Sequence, residues 1–126
     1  MKFYLIVASI SGLLAITLGA FGAHALKDSI SAEMLDTYKT GIQYQFYHTF
    51  AIALVGILMH FNKSRHLRMA GNLFILGIFI FSGMIYIMAV TGYRALSIAP
   101  AFGGLILISG WIFLLAHCLT LAKRSY

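Results

Sequence analysis

Apolar residues fall in four long runs separated by short polar gaps. The runs cover about 3–26, 41–61, 69–90 and 96–121. A helix rises 1.5 Å per residue, and about 20 residues cross a hydrocarbon core of roughly 30 Å. Each run is long enough. The pattern predicts an all-α chain: an integral membrane four-transmembrane-helix bundle, one domain over residues 1–126. The first run has features of a cleavable leader, with Lys2 ahead of it and Ala23-His24-Ala25 near its end. Its apolar stretch exceeds the roughly 7–15 residues of a signal h-region, so it is read as transmembrane helix 1.

The gaps carry their own signals. Residues 27–40 are polar and hold Asp28, Glu33 and Asp36, the only three acids of the chain. Ser31 is placed to cap a helix whose first turn contains Glu33, which suits the helix dipole. Met34, Leu35 and Tyr38 recur at helical spacing. A short amphipathic helix over 31–40, lying at the membrane surface between helices 1 and 2, is expected. The second gap, Asn62 to Arg68, is basic. Thr91-Gly92-Tyr93-Arg94 is a turn, and Pro100 stands near the start of the fourth helix.

Composition removes the soluble alternative. The chain is 61% hydrophobic and 10% charged, with mean hydropathy +0.92. Soluble domains carry roughly 25% charged residues. A chain of 126 residues with so few polar groups cannot cover its surface in water. The net charge of +6 does not point to nucleic acid, because the cations sit in the gaps, where they act as topology signals and contacts to anionic lipid. Lys2, Lys63, Arg65, Arg68, Lys123 and Arg124 fall on one side; Lys27, Lys39 and Arg94 fall on the other. Six against three predicts cytoplasmic termini and an acidic loop outside. Membrane lipids are the expected partners. Cys118 is the one cysteine, so no disulfide forms within the chain, and it reads as a packing residue.

Two residue sets invite closer reading. Ser11, Ala15, Gly19 and Ala23 follow one another at four-residue spacing, with Ala8 and Gly12 as a second small pair. Small residues let helices approach closely in lipid. Gly103, Gly104 and Gly110 suggest a similar seam on helix 4. The neighbour is either another helix of this chain or a second copy, so a homo-oligomer stays open.

The second set is at the start of helix 2. Gly41, Tyr44, Gln45, His48 and Ile52 fall on one helical stripe, with Gln43 beside them. His24, at the same predicted end of helix 1, is expected to meet His48. A polar group at that depth needs a partner or a wet cavity. Three readings are open for His24, Gln43, Tyr44, Gln45 and His48: a network locking the helix ends, a pocket for a lipid headgroup or small ligand, and a metal or haem site. Haem needs two axial ligands at one depth, for which His24 with His48 or His60 with His117 could be considered. Two histidines without a third ligand are thin for zinc, and no metal or cofactor is assigned.

No acid lies inside a span, whereas proton-coupled exporters of similar size rely on a buried carboxylate. No paired acids, nucleophile triad or phosphate loop appears, so an enzyme is not expected. Tyr4, Tyr93 and Tyr126 fit the aromatic belt at the interfaces, and Trp111, near mid-span, reads as packing.

The strings GAFGAHAL (19–26), TGIQYQFYH (40–48), FSGMIYIMAVTG (81–92) and APAFGGLILISGW (99–111) resemble the YgdD/YwdK-like family of small bacterial inner-membrane proteins, a domain of unknown function. The resemblance covers essentially the whole chain. It implies four transmembrane helices and a bacterial cytoplasmic membrane, and it brings no reaction. The expected role is a structural or lipid-interacting factor supporting membrane integrity. The alternative is a small transporter, channel or ligand-binding protein using a His24/His48 pocket.

Overall fold

The computed structural model describes residues 1–123. Arg124 and Tyr126, used above for orientation and the aromatic belt, lie outside the described residues. Four helices account for the four apolar runs: α1 (Lys2–Phe21), α2 (Ala32–Phe61), α3 (Arg65–Thr91) and α4 (Ala99–Ala122). All four are long and apolar enough to cross a membrane. A π-helical turn, Gly22–Leu26, extends α1, and a 3₁₀ turn, Arg94–Leu96, precedes α4.

Local chemistry sets the boundaries. Ser31 accepts a hydrogen bond from the Met34 N–H at 3.1 Å and starts α2. Ser64 does the same for α3 through the His66 N–H. These side chains satisfy donors that have no partner within the helix. Gly92 ends α3 in the left-handed region at φ 70° and returns its N–H to Met88 O, a conformation that costs glycine little. Pro100 occupies the first turn of α4, where no N–H is missed.

The region 31–40 is helical from the cap at Ser31, but it does not stop before the second span. It forms the first turns of the 30-residue α2, so no separate surface helix stands between helices 1 and 2. Two contacts carry the helix through. Tyr38 is 1% exposed and donates to Leu18 O of α1. Gly41, inside the helix, lets Ile85 and Tyr86 of α3 come close.

The helices alternate in direction and pack in succession: α1 on α2, α2 on α3, α3 on α4. α1 and α4 share no comparable seam, so the bundle is not a closed ring. The core holds Ile52 and Val55 of α2 with Leu67 and Phe74 of α3. The basic gap between α2 and α3 gathers at one end with the start of α1 and the last turns of α4. His60 Nδ1 meets Met1 Sδ at 3.0 Å, and His117 shares a cavity of about 300 Å³ with residues 62–66. The opposite end carries the acidic gap and the α3–α4 turn, with Ile30, Met34, Met88 and Arg94 around one hollow.

Small residues do most of the close packing. Ser11 and Ala15 are buried; Gly12 faces Thr49 and Gly19 faces Ile42, each at ordinary contact distance. Ala23 does not continue this seam. It is exposed, and Gly22 and Leu26 are buried instead. Each four-residue step overshoots a turn by about 40° at 3.6 residues per turn. Three steps therefore carry Ala23 about 120° away from Ser11. At Gly22 any Cβ would collide with the Tyr38 ring. On the other flank, a Cβ at Gly103 would enter the backbone of Phe81, one at Gly77 would enter Leu107, and one at Gly110 would enter the Phe74 ring. Gly104 has ordinary space before Phe81, so it borders the seam and does not define it.

Candidate functional site

Among the described residues, most buried polar side chains of the spans collect at two junctions; His117 is buried apart from them, at the basic end. The first joins α1, α2 and α3. Gln45, 4% exposed, donates from Nε2 to Ser11 O at 2.9 Å and accepts from the Tyr86 hydroxyl at Oε1, 2.7 Å away. Thr49 donates its hydroxyl to Gln45 O at 2.7 Å. The Ser11 and Thr49 hydroxyl oxygens are 2.6 Å apart; since the Thr49 proton is already placed, Ser11 is the donor. One turn away, Ser82 donates to Gly41 O at 2.7 Å. In hydrocarbon an unpaired polar group is costly, and here each group finds its partner on a neighbouring helix or turn.

The second junction joins α2 and α4. His48 is 5% exposed. Its Nδ1 lies 2.7 Å from Tyr44 O, and its Nε2 is 3.1 Å from the Trp111 indole nitrogen. A carbonyl only accepts and an indole N–H only donates. The proton therefore sits on Nδ1, and the ring is neutral. Phe74 and Trp111 pack around it, with ring centroids 5.5 and 6.1 Å away.

The five expected site residues separate. Gln45 and His48 are buried at different junctions. Tyr44 contributes its carbonyl to His48 and stacks on Phe81 at 4.6 Å. Gln43 and His24 are exposed. His24 does not meet His48. It lies in the π turn beyond Gly22, which sits against Tyr38, and the ten residues from Tyr38 to His48 measure about 15 Å along α2. Among the described residues, His24 and His48 do not line one pocket. His48 also has no ring nitrogen left to offer iron, since both are engaged. Among the described residues no three His, Cys, Asp or Glu side chains gather as a metal set.

Several residues of the junctions were not singled out from sequence. Ser82 and Tyr86 stand four apart on the third run, a signal as good as the one on helix 2, and Thr49 follows His48 directly. Trp111 gave no such signal, because indole in a span is most simply packing; here it packs and also donates. Tyr4 is not a belt residue. It is 5% exposed, and its hydroxyl donates to Asn72 Oδ1 at 2.9 Å, with Arg68 O at 3.3 Å.

Beside the first junction is an apolar groove of about 420 Å³ between α1 and α3, with Gln45 and Ile52 of α2 at its base.

Residues 18–104 match the family described as protein of unknown function, DUF423. The chain belongs to this family. It is 37% identical over 115 residues to the UPF0382 membrane protein YwdK of Bacillus subtilis (strain 168), covering 90% of this chain and 94% of that one. It is 32% identical over 124 residues to the UPF0382 inner membrane protein YgdD of Escherichia coli (strain K12), covering 98% and 95%. The UPF0382 membrane protein SH2409 of Staphylococcus haemolyticus is 33% identical over 115 residues, covering 91% and 93%. No solved structure matches the chain. The resemblance read from the sequence strings and these likenesses agree on an uncharacterised family of membrane proteins, and this chain has four helices able to cross a membrane.

Proposed function

We propose that this protein is a non-enzymatic, lipid-interacting structural component of the bacterial cytoplasmic membrane that supports membrane integrity. The observation that carries the reading is the use made of the polar side chains inside the spans. Ser11, Gln45, Thr49, Ser82 and Tyr86 bond to one another or to neighbouring backbone, and His48 bonds to Tyr44 and Trp111. Such closed networks hold helices together; a reaction or an ion path requires groups that exchange partners. The apolar groove beside α1 opens toward acyl chains and supports a lipid contact.

The orientation belongs to the same proposal. The end bearing Lys2, Lys63, Arg65, Arg68 and Lys123 faces the cytoplasm. A periplasm-active reporter fused after residue 123 should then stay inactive, and one inserted after Thr91 should be active.

Deletion of the gene should raise membrane permeability to small dyes and sensitivity to envelope stress, and re-expression should reverse both. Unchanged permeability, fluidity and stress tolerance across growth conditions would sink the proposal.

A further inference from the structure

The α1–α3 groove has a chemical direction. On α3 its wall is formed by Ile75, Phe79, Ser82 and Tyr86. These positions follow steps of three and four, and the same stripe continues upward through Asn72 to Arg68. Arg68 and Asn72 are exposed. Across the groove, α1 supplies Phe3, Val7 and Leu14, with Lys2 exposed at its start. The groove therefore begins under a cationic rim and runs into hydrocarbon.

Its dimensions suit one chain. From Ile75 to Tyr86 is about 17 Å along the helix axis. One leaflet's hydrocarbon is about 15 Å deep, half of a core of roughly 30 Å. The volume, about 420 Å³, lies within the range of small-molecule sites, roughly 300–1,000 Å³. The groove is closed below by Tyr86, held to Gln45, and near the top α1 and α3 are tied by Tyr4 and Asn72. Between these ties the helices stand apart.

Charge decides the occupant. The rim end carries Lys2, Lys63, Arg65, Arg68 and Lys123, while all three acids, Asp28, Glu33 and Asp36, are at the opposite end of the bundle. There Lys27, Lys39 and Arg94 balance them. A zwitterionic or neutral lipid would gain little from this arrangement. An anionic one gains from each nearby cation.

We infer that the α1–α3 groove is a binding site for one anionic phospholipid, one of its two acyl chains between Phe3/Leu14 and Ile75/Phe79 and its phosphate beside Arg68 and Lys2. This rests on the lipid-interacting reading above and gives it a site and a lipid class.

Gly83 offers a clean probe. It lines the groove, and a Cβ there meets nothing within 4 Å. Purified protein in mild detergent would be titrated with phosphatidylglycerol or phosphatidylcholine of identical chains, and bound lipid counted by native mass spectrometry. One phosphatidylglycerol per chain should be retained, about fivefold or more ahead of phosphatidylcholine. Arg68→Gln should erase the headgroup preference while leaving chain binding. Gly83→Trp should abolish retention of both lipids, and Leu14→Trp, from the opposite wall, should do the same if Gly83→Trp lowers folded yield. Undiminished retention in both plugged variants would overturn the site, because the lipid would then be annular. Equal retention of the two lipids by the unaltered protein would overturn the anionic assignment. A Gly83→Cys, Cys118→Ser variant that forms a disulfide dimer in membranes would overturn it too, in favour of a second copy in the groove. The count is made in vitro, so it can fail while the deletion phenotype stands, or hold while that phenotype is absent.

Discussion

The two outer helices are attached to the α2–α3 hairpin by different chemistry. α4 is held on α3 by glycine. Gly77, Gly103 and Gly110 remove side chains where Leu107, Phe81 and Phe74 must fit, and the helices interlock. α1 is held on α2 by polar contacts, through Ser11, Thr49, Gln45 and Tyr38, together with close approaches of Tyr38 to Gly22 and of Leu5 to Gly56, while Gly12 and Gly19 meet α2 at ordinary distance. Lipid tails are as apolar as leucine, so burial alone gives helices little reason to associate in a membrane. Close packing and interhelical hydrogen bonds are the two remaining routes; the α4 flank relies mainly on the first, and the α1 flank combines both. The consequence is geometric. Interlocked glycines bring α3 and α4 into close contact, whereas the hydrogen bonds fasten α1 to α2 and leave a groove between α1 and α3.

The largest effect should come from forcing the interlocked flank. Gly103→Leu places a side chain into the Phe81 backbone and should destabilise the protein by about 3 kcal/mol or more, in the upper range of overpacking. Unfolding in mixed micelles measures it. Gly104→Ala, one residue along, should change stability by less than about 0.5 kcal/mol. Equal losses at the two positions would mean that the seam is not set by Phe81.

The polar flank should yield less. Gln45→Leu removes acceptor and donor together, leaving Tyr86 and the Ser11 carbonyl without their partner, and should cost about 1–2 kcal/mol. Proteolysis or cysteine labelling of α1 should rise while α3 and α4 stay protected. A global loss of protection would erase the distinction between the flanks. Smaller still is the link from α2 to α4. A double-mutant cycle of His48→Phe and Trp111→Phe should give a coupling of about 0.6 kcal/mol, the average for hydrogen bonds inside membranes. His24→Ala should leave stability unchanged, as His24 is exposed at the far end.

The same contrast explains how far the chain could be read. Glycines at Gly103 and Gly110 were visible as a seam because a missing side chain has one dominant use in a membrane helix. The polar set at the start of helix 2 was visible as unusual but not as an arrangement. Gln45 and His48 are three residues apart, and three residues turn a helix by about 300°. That is enough for one to face α1 and the other α4, yet spacing alone also allowed both to face one pocket. The π turn at Gly22–Leu26 was not visible at all, and it decides where His24 sits. Ala23 failed for a plainer reason: a strict four-residue count drifts off the face it starts on.

Sequence by itself determined the solvent, the number of spans, the gaps between them and the two ends of opposite character. Those follow from hydropathy, cap residues and charge, which act locally or with the bilayer. Only the tertiary structure decided that the 31–40 segment continues into α2, that His48 turns to Trp111 and away from His24, and that a groove lies open between α1 and α3. Each of those depends on which face of one helix meets another. Four-residue repeats and polar spacing limit that choice, and it is completed only when the neighbouring helix is in place.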